Sequence, residues 1–201
     1  MIEWALLAVG LGLVAANALG KFWLDLRSSC AAAAGALLDW GEARCREQAN
    51  GPTRLFAGAW SSGQAVMSAL QRNGFRAVRH SLRMAIEPGA ETGPPCWPKR
   101  IVVRTLAAGD EHRVYETHME TFADSWEHEP VDYAEWSHWY LDAARYPPSL
   151  SFLAFDGEEL AAIALCREDD AVSGVGWVSI LGVRRAWRGQ GLGAALLRHA
   201  F

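Results

Sequence analysis

The chain has 201 residues, of which 51% are hydrophobic and 21% are charged, so it can bury a core and is not a disordered chain. Its formal net charge of −4 is divided unevenly: residues 1–90 carry 9 Lys and Arg against 6 Asp and Glu (+3), and residues 91–201 carry 10 against 17 (−7). The uneven charge indicates two units, and an acidic second half argues against a nucleic-acid partner.

The cysteines and the apolar N-terminus bear on where the protein works. Four cysteines are spread along the chain without a CxxC pair, which favours reduced thiols in a cytoplasmic protein over a zinc site or a disulfide framework. Residues 4–19 form an apolar run, but a membrane-spanning helix needs about 20 such residues. Glu3 stands where a signal peptide would carry Lys or Arg. Membrane insertion is therefore less favoured than a buried or irregular apolar segment.

In the first half, hydrophobic periodicity predicts a helix, a strand, a helix and a strand, in that order. These elements span residues 36–49, residues 55–60, a helix from Ser61 or Ser62 to Arg72, and residues 77–86. Asn50-Gly51-Pro52 and Asn73-Gly74 are typical of helix ends. The prolines of residues 89–99 then predict a linker.

In the second half, the same reasoning predicts a strand, two helices, a hairpin, a further strand and a final helix. The predicted elements are residues 101–106, 110–122, 133–144, 151–155, 160–167, 176–183 and a helix from Leu192 to the last residue. Asp156-Gly157 forms the hairpin turn in this prediction.

The connection between the last strand and the last helix is the most informative stretch. Arg188, Gly191 and Gly193 have the spacing RxxGxG directly after the predicted strand. Such a turn directs consecutive backbone N–H groups at one point, and the helix N-terminus adds partial positive charge, which suits a pyrophosphate. A glycine-rich turn alone is weak evidence, because ordinary strand-to-helix connections use one too.

This stretch closely resembles the acetyl-CoA-binding motif of the GNAT superfamily of N-acetyltransferases, and the order of elements from residue 101 is similar to that fold. The resemblance implies an α/β (α+β) fold with a mixed central sheet flanked by helices, and acetyl-CoA as the acyl donor. It implies that the backbone of Leu181, Gly182 and Val183 holds the pantetheine arm. The residues that would cradle the pyrophosphate are Arg188, Gly189, Gln190, Gly191, Leu192 and Gly193. Arg184 and Arg185 are expected on a solvated rim.

The residues for the proton transfers are harder to assign. Many family members carry a glutamate four or six residues before the motif valine, and this chain has Ser179 and Trp177 at those positions. Neither is a carboxylate base, although Ser179 could hold a water. The tyrosine that often serves as the acid would lie beyond Phe201. The catalytic residues therefore stay unknown at this point.

The acceptor side is expected on the first two helices of the second half. Residues 110–142 contain 10 acidic residues and only Arg113 as a base. The interleaved aromatic residues are Phe122, Trp126, Trp136, Trp139 and Tyr140. An acidic, aromatic-lined mouth would attract a cationic amine. The alternative is a solvated acidic face whose aromatic side chains pack on the sheet.

These observations lead to an expected function with one alternative. The protein is expected to transfer acetyl from acetyl-CoA to a primary amine, more readily a small molecule than a protein. The alternative is a non-catalytic acetyl-CoA-binding or degenerate GNAT fragment. No metal is expected, because the four histidines of residues 112–138 lack the spacing of metal ligands.

The domain organisation is expected to be tandem. Residues 36–88 resemble the C-terminal half of a GNAT domain, but no RxxGxG precedes them, so this copy should not bind coenzyme A. An apolar segment (1–35) would precede it, and a linker (89–99) would join it to an acetyl-CoA-binding domain (100–201) that is incomplete after its third helix. The plan is similar to mycothiol-synthase-like tandem acetyltransferases, truncated at both ends. Alternatively, the first unit supplies the missing elements, within the chain or across a homodimer.

Overall fold

The structure, a computed structural model, describes residues 14–16, 21–25, 31–48, 54–87, 93–126, 128–168 and 174–201. The chain divides into two compact units, Met1–Ala85 and Ile86–Phe201. Most of the apolar run over residues 4–19 lies outside the described residues, as do residues 26–30, 49–53 and 88–92, on which several sequence predictions fall. No helix in the described part of the chain is both long and apolar enough to cross a membrane.

The first unit is a small sheet with two helices. Its elements are β1 (Val14–Ala16), β2 (Lys21–Asp25), α1 (Ala31–Gln48), β3 (Arg54–Gly58) and α2 (Gln64–Arg72). β2 pairs with β1 antiparallel and with β3 parallel. Parallel neighbours need a long connection across the sheet, and α1 supplies it. The helix begins earlier than predicted, because the alanine run ahead of residue 36 favours helix.

The ends of α2 show which local signals were informative. Gly74 adopts a left-handed φ of 80°, and the N–H of Phe75 donates to the carbonyl of Leu70 at 3.0 Å, so the helix ends where the Asn-Gly pair predicted. At the other end Gly63, rather than Ser61 or Ser62, is the N-cap and no side chain caps the helix. One face of α2 packs on α1 through buried Leu37, Leu38, Val66 and Leu70.

The strand predicted over residues 77–86 is wrong. Residues 75–87 form neither helix nor strand, and none of the described strands pairs with them. Beyond Phe75, which packs against the core, their large apolar side chains are exposed, with Leu82 at 89% and Met84 at 82%. An alternating pattern can form a strand only where a neighbouring strand satisfies its backbone N–H and C=O groups, which the described residues do not do here.

The second unit is an antiparallel sheet flanked by helices, which confirms the predicted α/β (α+β) class with flanking helices; the sheet was predicted to be mixed, but its described strand pairs are all antiparallel. Its elements are β4 (Ile101–Thr105), α3 (Glu111–Phe122), α4 (Tyr133–Tyr140), β5 (Ser151–Asp156), β6 (Glu159–Glu168), β7 (Gly176–Val183) and α5 (Leu192–His199), with single 3-10 turns at Pro148–Leu150 and Arg185–Trp187. The strand order is β4-β5-β6-β7, and each neighbouring pair is antiparallel. α4 is shorter than the predicted 133–144, because a turn around Asp142 follows it.

The core of this unit lies on both faces of β6. Seven consecutive β6 residues, 160–166, are buried, the continuous apolar pattern of a strand covered on both sides. One face packs against α3 and α4 through residues such as Val114, Trp136 and Ile163. The other face packs against α5 through Leu192 and Leu196. The sheet is thus held rigidly between helices, and β7 lies at its edge.

β7 contains a bulge that changes which residues share a face. Leu165 pairs with Ile180 and Cys166 pairs with Val178, so Ser179 is the extra residue. Because the bulge interrupts the two-residue alternation, Val178 lies on the α5 side together with Leu181 and Val183. Ile180 packs on the opposite side of the sheet. The last four residues of β7 therefore alternate out of phase with its first three.

Candidate donor site

The outer edge of β7 offers backbone hydrogen-bonding groups. The N–H of Arg184 donates to the carbonyl of Ala161 in β6 at 2.9 Å. Since alternate residues of an antiparallel strand face the same neighbour, Gly182 also faces β6, whereas Leu181 and Val183 face the open edge. No described strand pairs on that side. Of the three predicted pantetheine-binding residues, only Leu181 and Val183 therefore offer edge groups.

Gly182 belongs to the site for another reason. A Cβ at this position would lie 2.5 Å from Thr121 Oγ1 and 3.0 Å from Thr121 Cβ. Only a residue without a side chain allows the last turn of α3 to approach β7 this closely. The glycine therefore brings α3 against the strand from which the turn departs.

The turn between β7 and α5 has the backbone geometry of an anion cradle. Gly189 and Gly191 adopt φ values of 77° and 82°, which glycine reaches without strain. The first N–H that bonds within α5 is that of Ala195, which donates to Gly191 O at 3.0 Å. Among the described residues, the N–H groups of residues 191–194 donate to no acceptor in the chain. A helix N-terminus with unclaimed N–H groups attracts an anion.

Arg188 does not extend over this turn. Its Nε donates to Val183 O at 3.0 Å and its Nη2 donates to Thr121 O at 3.1 Å. Its Nη1 lies 3.7 Å from Asp124 Oδ2. The guanidinium thus joins the end of β7 to the end of α3, and a contact between Arg188 and a pyrophosphate stays a prediction.

Arg184 is not a solvated rim residue, contrary to expectation. It is only 30% exposed, its Nε donates to Glu120 Oε2 at 2.6 Å and its Nη1 lies 3.4 Å from Leu160 O. Arg185 is 59% exposed, as expected of a rim residue, and its Nη2 donates to Asp124 Oδ1 at 2.7 Å. That hydrogen bond and the charge of Arg185 hold the pKa of Asp124 below its usual value.

The two positions expected for a carboxylate base present other chemistry. Ser179 lies on the bulge and is exposed, and Trp177, two residues earlier on β7, is half-buried. A serine hydroxyl can donate and accept hydrogen bonds, but neither side chain takes up a proton at neutral pH. An attacking amine would have to lose its proton to another group or to solvent.

Most of the aromatic residues predicted for an acceptor mouth lie in the core. Trp136 is fully buried, and Phe122 and Tyr140 pack against the same cluster. Trp126 is 40% exposed and Trp139 is half-buried. This arrangement is the alternative that the sequence left open, with aromatic side chains packed on the sheet. The remaining aromatic surface includes a cleft of about 110 Å³ lined by Trp139, Tyr140, Arg145 and Tyr146.

The acidic residues of this region are partly neutralised by arginines. Asp110 accepts two hydrogen bonds from Arg104, at 2.5 and 2.8 Å, and this pairing holds the pKa of Asp110 below its usual value. Glu120 and Asp124 pair with Arg184 and Arg185. In the part of the chain that the structure describes, no three His, Cys, Asp or Glu side chains form a group that could hold a metal ion.

His118 is buried between the two acceptor-side helices. Its Nδ1 accepts a hydrogen bond of 2.8 Å from Trp136 Nε1, so the neutral ring carries its proton on Nε2. Burial, together with the nearby His128, lowers the pKa of His118 from 6.5 to about 4. The imidazole is therefore neutral at physiological pH, and it accepts the hydrogen bond that joins α3 to α4.

An antiparallel sheet whose open-edged strand leads through a left-handed glycine turn into a helix N-terminus is the arrangement that the sequence resemblance implied for an acetyl-CoA site. Residues 111–201 match the sequence model of the Acetyltransferase (GNAT) family. The C-terminal part of this chain is therefore similar in sequence to the acetyltransferases of this family.

Solved structures show the same fold over most of the chain. A GCN5-related N-acetyltransferase from Sphaerobacter thermophilus is 24% identical, with a TM-score of 0.74, over 94% of this chain and 62% of that one. A GCN5-related N-acetyltransferase from Kribbella flavida is 19% identical, with a TM-score of 0.55, over 90% of this chain and 64% of that one. The chain thus spans less than two thirds of the length of either structure. No curated protein matches the chain.

Proposed function

We propose that the second unit binds acetyl-CoA along the outer edge of β7 and at the turn of residues 188–193, and transfers its acetyl group to a small-molecule primary amine. The observation that carries the proposal is the run of N–H groups over residues 191–194, which lack an acceptor among the described residues at the start of α5. Four consecutive donors at a helix N-terminus suit the two phosphates of a pyrophosphate.

The strand edge supports the same proposal. The backbone groups of Leu181 and the N–H of Val183 face outward from β7 and can bond an extended amide-containing chain, as an added strand would. The pantetheine arm of coenzyme A is such a chain. The bulge at Ser179 lies further along the same edge, toward the start of β7. Acetyl-CoA supplies an activated thioester carbonyl, and the protein's part is to hold and orient it.

The side chains around the bulge limit the protein's part in proton transfer. Because Ser179 and Trp177 cannot serve as a base at neutral pH, the amine must arrive neutral or lose its proton to solvent. We therefore expect the rate of acetyl transfer to rise with pH in proportion to the neutral fraction of the amine. The Ser179 hydroxyl can hold a water or the amine by a hydrogen bond.

A second function has one observation in its favour. The absence of a carboxylate at both Ser179 and Trp177 also suits a module that binds acetyl-CoA without turnover, since a fold does not by itself imply activity. For the first unit, we propose a degenerate half-domain of the same family. Its β2-α1-β3 crossover has the order expected for the C-terminal half of that fold.

The test is calorimetric titration of the full chain with acetyl-CoA, using a matched pair of variants. Gly191→Asp places a carboxylate in the turn, where it would repel a pyrophosphate. Gly174→Asp makes the same change at another left-handed glycine (φ 79°) ahead of β7. We expect wild type and Gly174→Asp to bind and Gly191→Asp to lose binding. No binding by folded wild type would refute the donor site.

A measurement of turnover distinguishes the transferase from the non-catalytic binding module. Release of coenzyme A thiol during incubation with a panel of primary amines, measured at several pH values, would support the transferase. Binding of acetyl-CoA with no thiol release across the panel would favour the non-catalytic module. A rate that falls as the amine becomes neutral would contradict the proposed direct attack.

A further inference from the structure

The carboxyl end of α3 holds the chain that connects β7 to the glycine turn. Glu120, Thr121 and Asp124 contact this connection through both side chains and backbone. The contacts are those of Glu120 with Arg184 Nε and Arg185 N, of Thr121 O with Arg188 Nη2, and of Asp124 with Arg185 Nη2 and Arg188 Nη1. Every arginine of the connection is thus engaged by the end of α3 or by the two residues that follow it.

Glu120 is the more enclosed of the two carboxylates. Its side chain is 34% exposed, and its two oxygens accept from two different residues, Arg184 Nε at 2.6 Å and the Arg185 backbone N–H at 3.4 Å. Half-buried charge-assisted hydrogen bonds are stronger than exposed ion pairs. Glu120 therefore fixes the two residues that follow β7 and determines where the turn starts.

Asp124 engages the other side of the connection. It bonds Arg185 at 2.7 Å and approaches Arg188 at 3.7 Å. Three arginines within five residues would repel one another, and the carboxylates of Glu120 and Asp124 offset that repulsion. The guanidinium groups are consequently drawn toward the end of α3, while the N–H groups of residues 191–194 donate to no acceptor among the described residues.

We propose that Glu120 and Asp124 are positioning residues of the donor site. They hold Arg184, Arg185 and Arg188 against α3, and thereby set the backbone of the turn so that its N–H groups bind the pyrophosphate. This inference rests on the proposed function of the turn. Two carboxylates near an anion site would also repel the anion, but each is paired with arginine and Asp124 is 60% exposed and screened. Positioning therefore outweighs repulsion.

The binding test uses the full chain and two ligands. Glu120→Gln keeps the shape of the side chain and removes its charge, and we expect it to weaken acetyl-CoA binding about tenfold. Asp124→Asn, at a more exposed site, should weaken it by about twofold to threefold. S-acetylpantetheine, which lacks the pyrophosphate, should bind Glu120→Gln as it binds wild type. Glu120→Asp should recover part of the lost affinity.

The control is Glu116→Gln, the same charge change on an exposed residue of α3 one turn earlier. It should bind both ligands as wild type does. The inference is overturned if Glu120→Gln weakens both ligands equally, if it strengthens acetyl-CoA binding, or if Glu116→Gln has the same effect. The first outcome would indicate general damage to the fold, and the second would indicate that repulsion dominates.

A second measurement needs no ligand. Amide hydrogen exchange in peptides covering residues 184–193 should be faster in Glu120→Gln than in wild type or Glu116→Gln, while peptides of the β5–β6 hairpin exchange unchanged. If wild type fails to bind acetyl-CoA, the proposed function fails, and the exchange result still decides the positioning role. Equal exchange in all three proteins would overturn it.

Discussion

Mild acid is expected to destabilise the protein through the single imidazole of His118. In the folded chain its Nδ1 accepts from Trp136 Nε1. A protonated ring would instead present an N–H toward the indole N–H, and its charge would be buried. Both effects favour the neutral ring, in line with a pKa lowered from 6.5 to about 4. The unfolded chain therefore takes up a proton at a higher pH than the folded chain.

The direction and size of the effect follow from these two pKa values. Because the folded pKa is the lower one, the contribution of His118 is fully present above pH 6.5 and is lost as the pH falls from about 6.5 to about 4. The free energy of unfolding should fall by about 2 kcal/mol at about pH 5, and by about 3 kcal/mol at about pH 4, relative to about pH 8. Below about pH 4 the contribution levels off.

Urea unfolding of the full chain followed by tryptophan fluorescence measures this loss. Carboxylates titrate in the same range, so the quantity to compare is the difference between wild type and His118→Gln. The glutamine keeps an acceptor for the Trp136 N–H but cannot titrate, so its stability should fall less steeply between about pH 8 and about pH 5. His138→Gln, which removes an exposed imidazole, is the control and should follow wild type. Parallel curves for wild type and His118→Gln would refute the reasoning.

Three further predictions test the packing of the second unit. Gly182→Ala should lower the free energy of unfolding by about 1–3 kcal/mol in chemical denaturation, because its Cβ would lie 2.5 Å from Thr121 Oγ1. The additional change Thr121→Ala should recover part of this loss. An unchanged stability of Gly182→Ala would contradict the close approach. Leu196→Ala, at a fully buried position, should lower the free energy of unfolding by about 2–5 kcal/mol. The same change at the half-buried Leu197 should lower it less. Mass-spectrometric mapping after brief treatment of the native chain with iodoacetamide should find Cys96 modified and Cys166 protected, since Cys96 is exposed and burial raises the pKa of the Cys166 thiol to about 11; rapid modification of Cys166 would show that β6 is not enclosed.

Sequence patterns predicted elements well where the signal was local. β7 was predicted with its observed ends, because its apolar residues are bounded by glycines and by the arginine-rich connection. The end of α2 was likewise predicted from two residues, Asn73 and Gly74. The predicted strand over 77–86 was wrong because a strand depends on a partner, which no local pattern supplies. The contact of Glu120 with Arg184 could not be predicted, since it joins residues 64 positions apart.

The candidate site likewise has features that the sequence predicted and features that it did not. The glycine spacing of the turn was visible in the sequence, and so was its similarity to one family. The buried position of Trp136 was not, because an aromatic residue on an amphipathic helix suits a core and a binding surface equally well. One signal that was overlooked is Gly182 itself, since a glycine inside an apolar strand often marks a close approach of another segment.

The bulge at Ser179 means that the spacing of this strand matters as much as its composition. One additional residue brings Val178 onto the side of the sheet occupied by Leu181 and Val183, so side chains three and five positions apart act as neighbours. Substitutions at the exposed position 179 leave that phase unchanged. Deleting the position would join Val178 directly to Ile180, and these two residues already pair with the consecutive residues Cys166 and Leu165. β7 could then form a regular ladder with β6 in which every remaining side chain keeps its present face. Deletion of this one exposed serine should therefore remove the bulge from the edge of the sheet and leave the packing of Leu181 and Val183 against α5 in place.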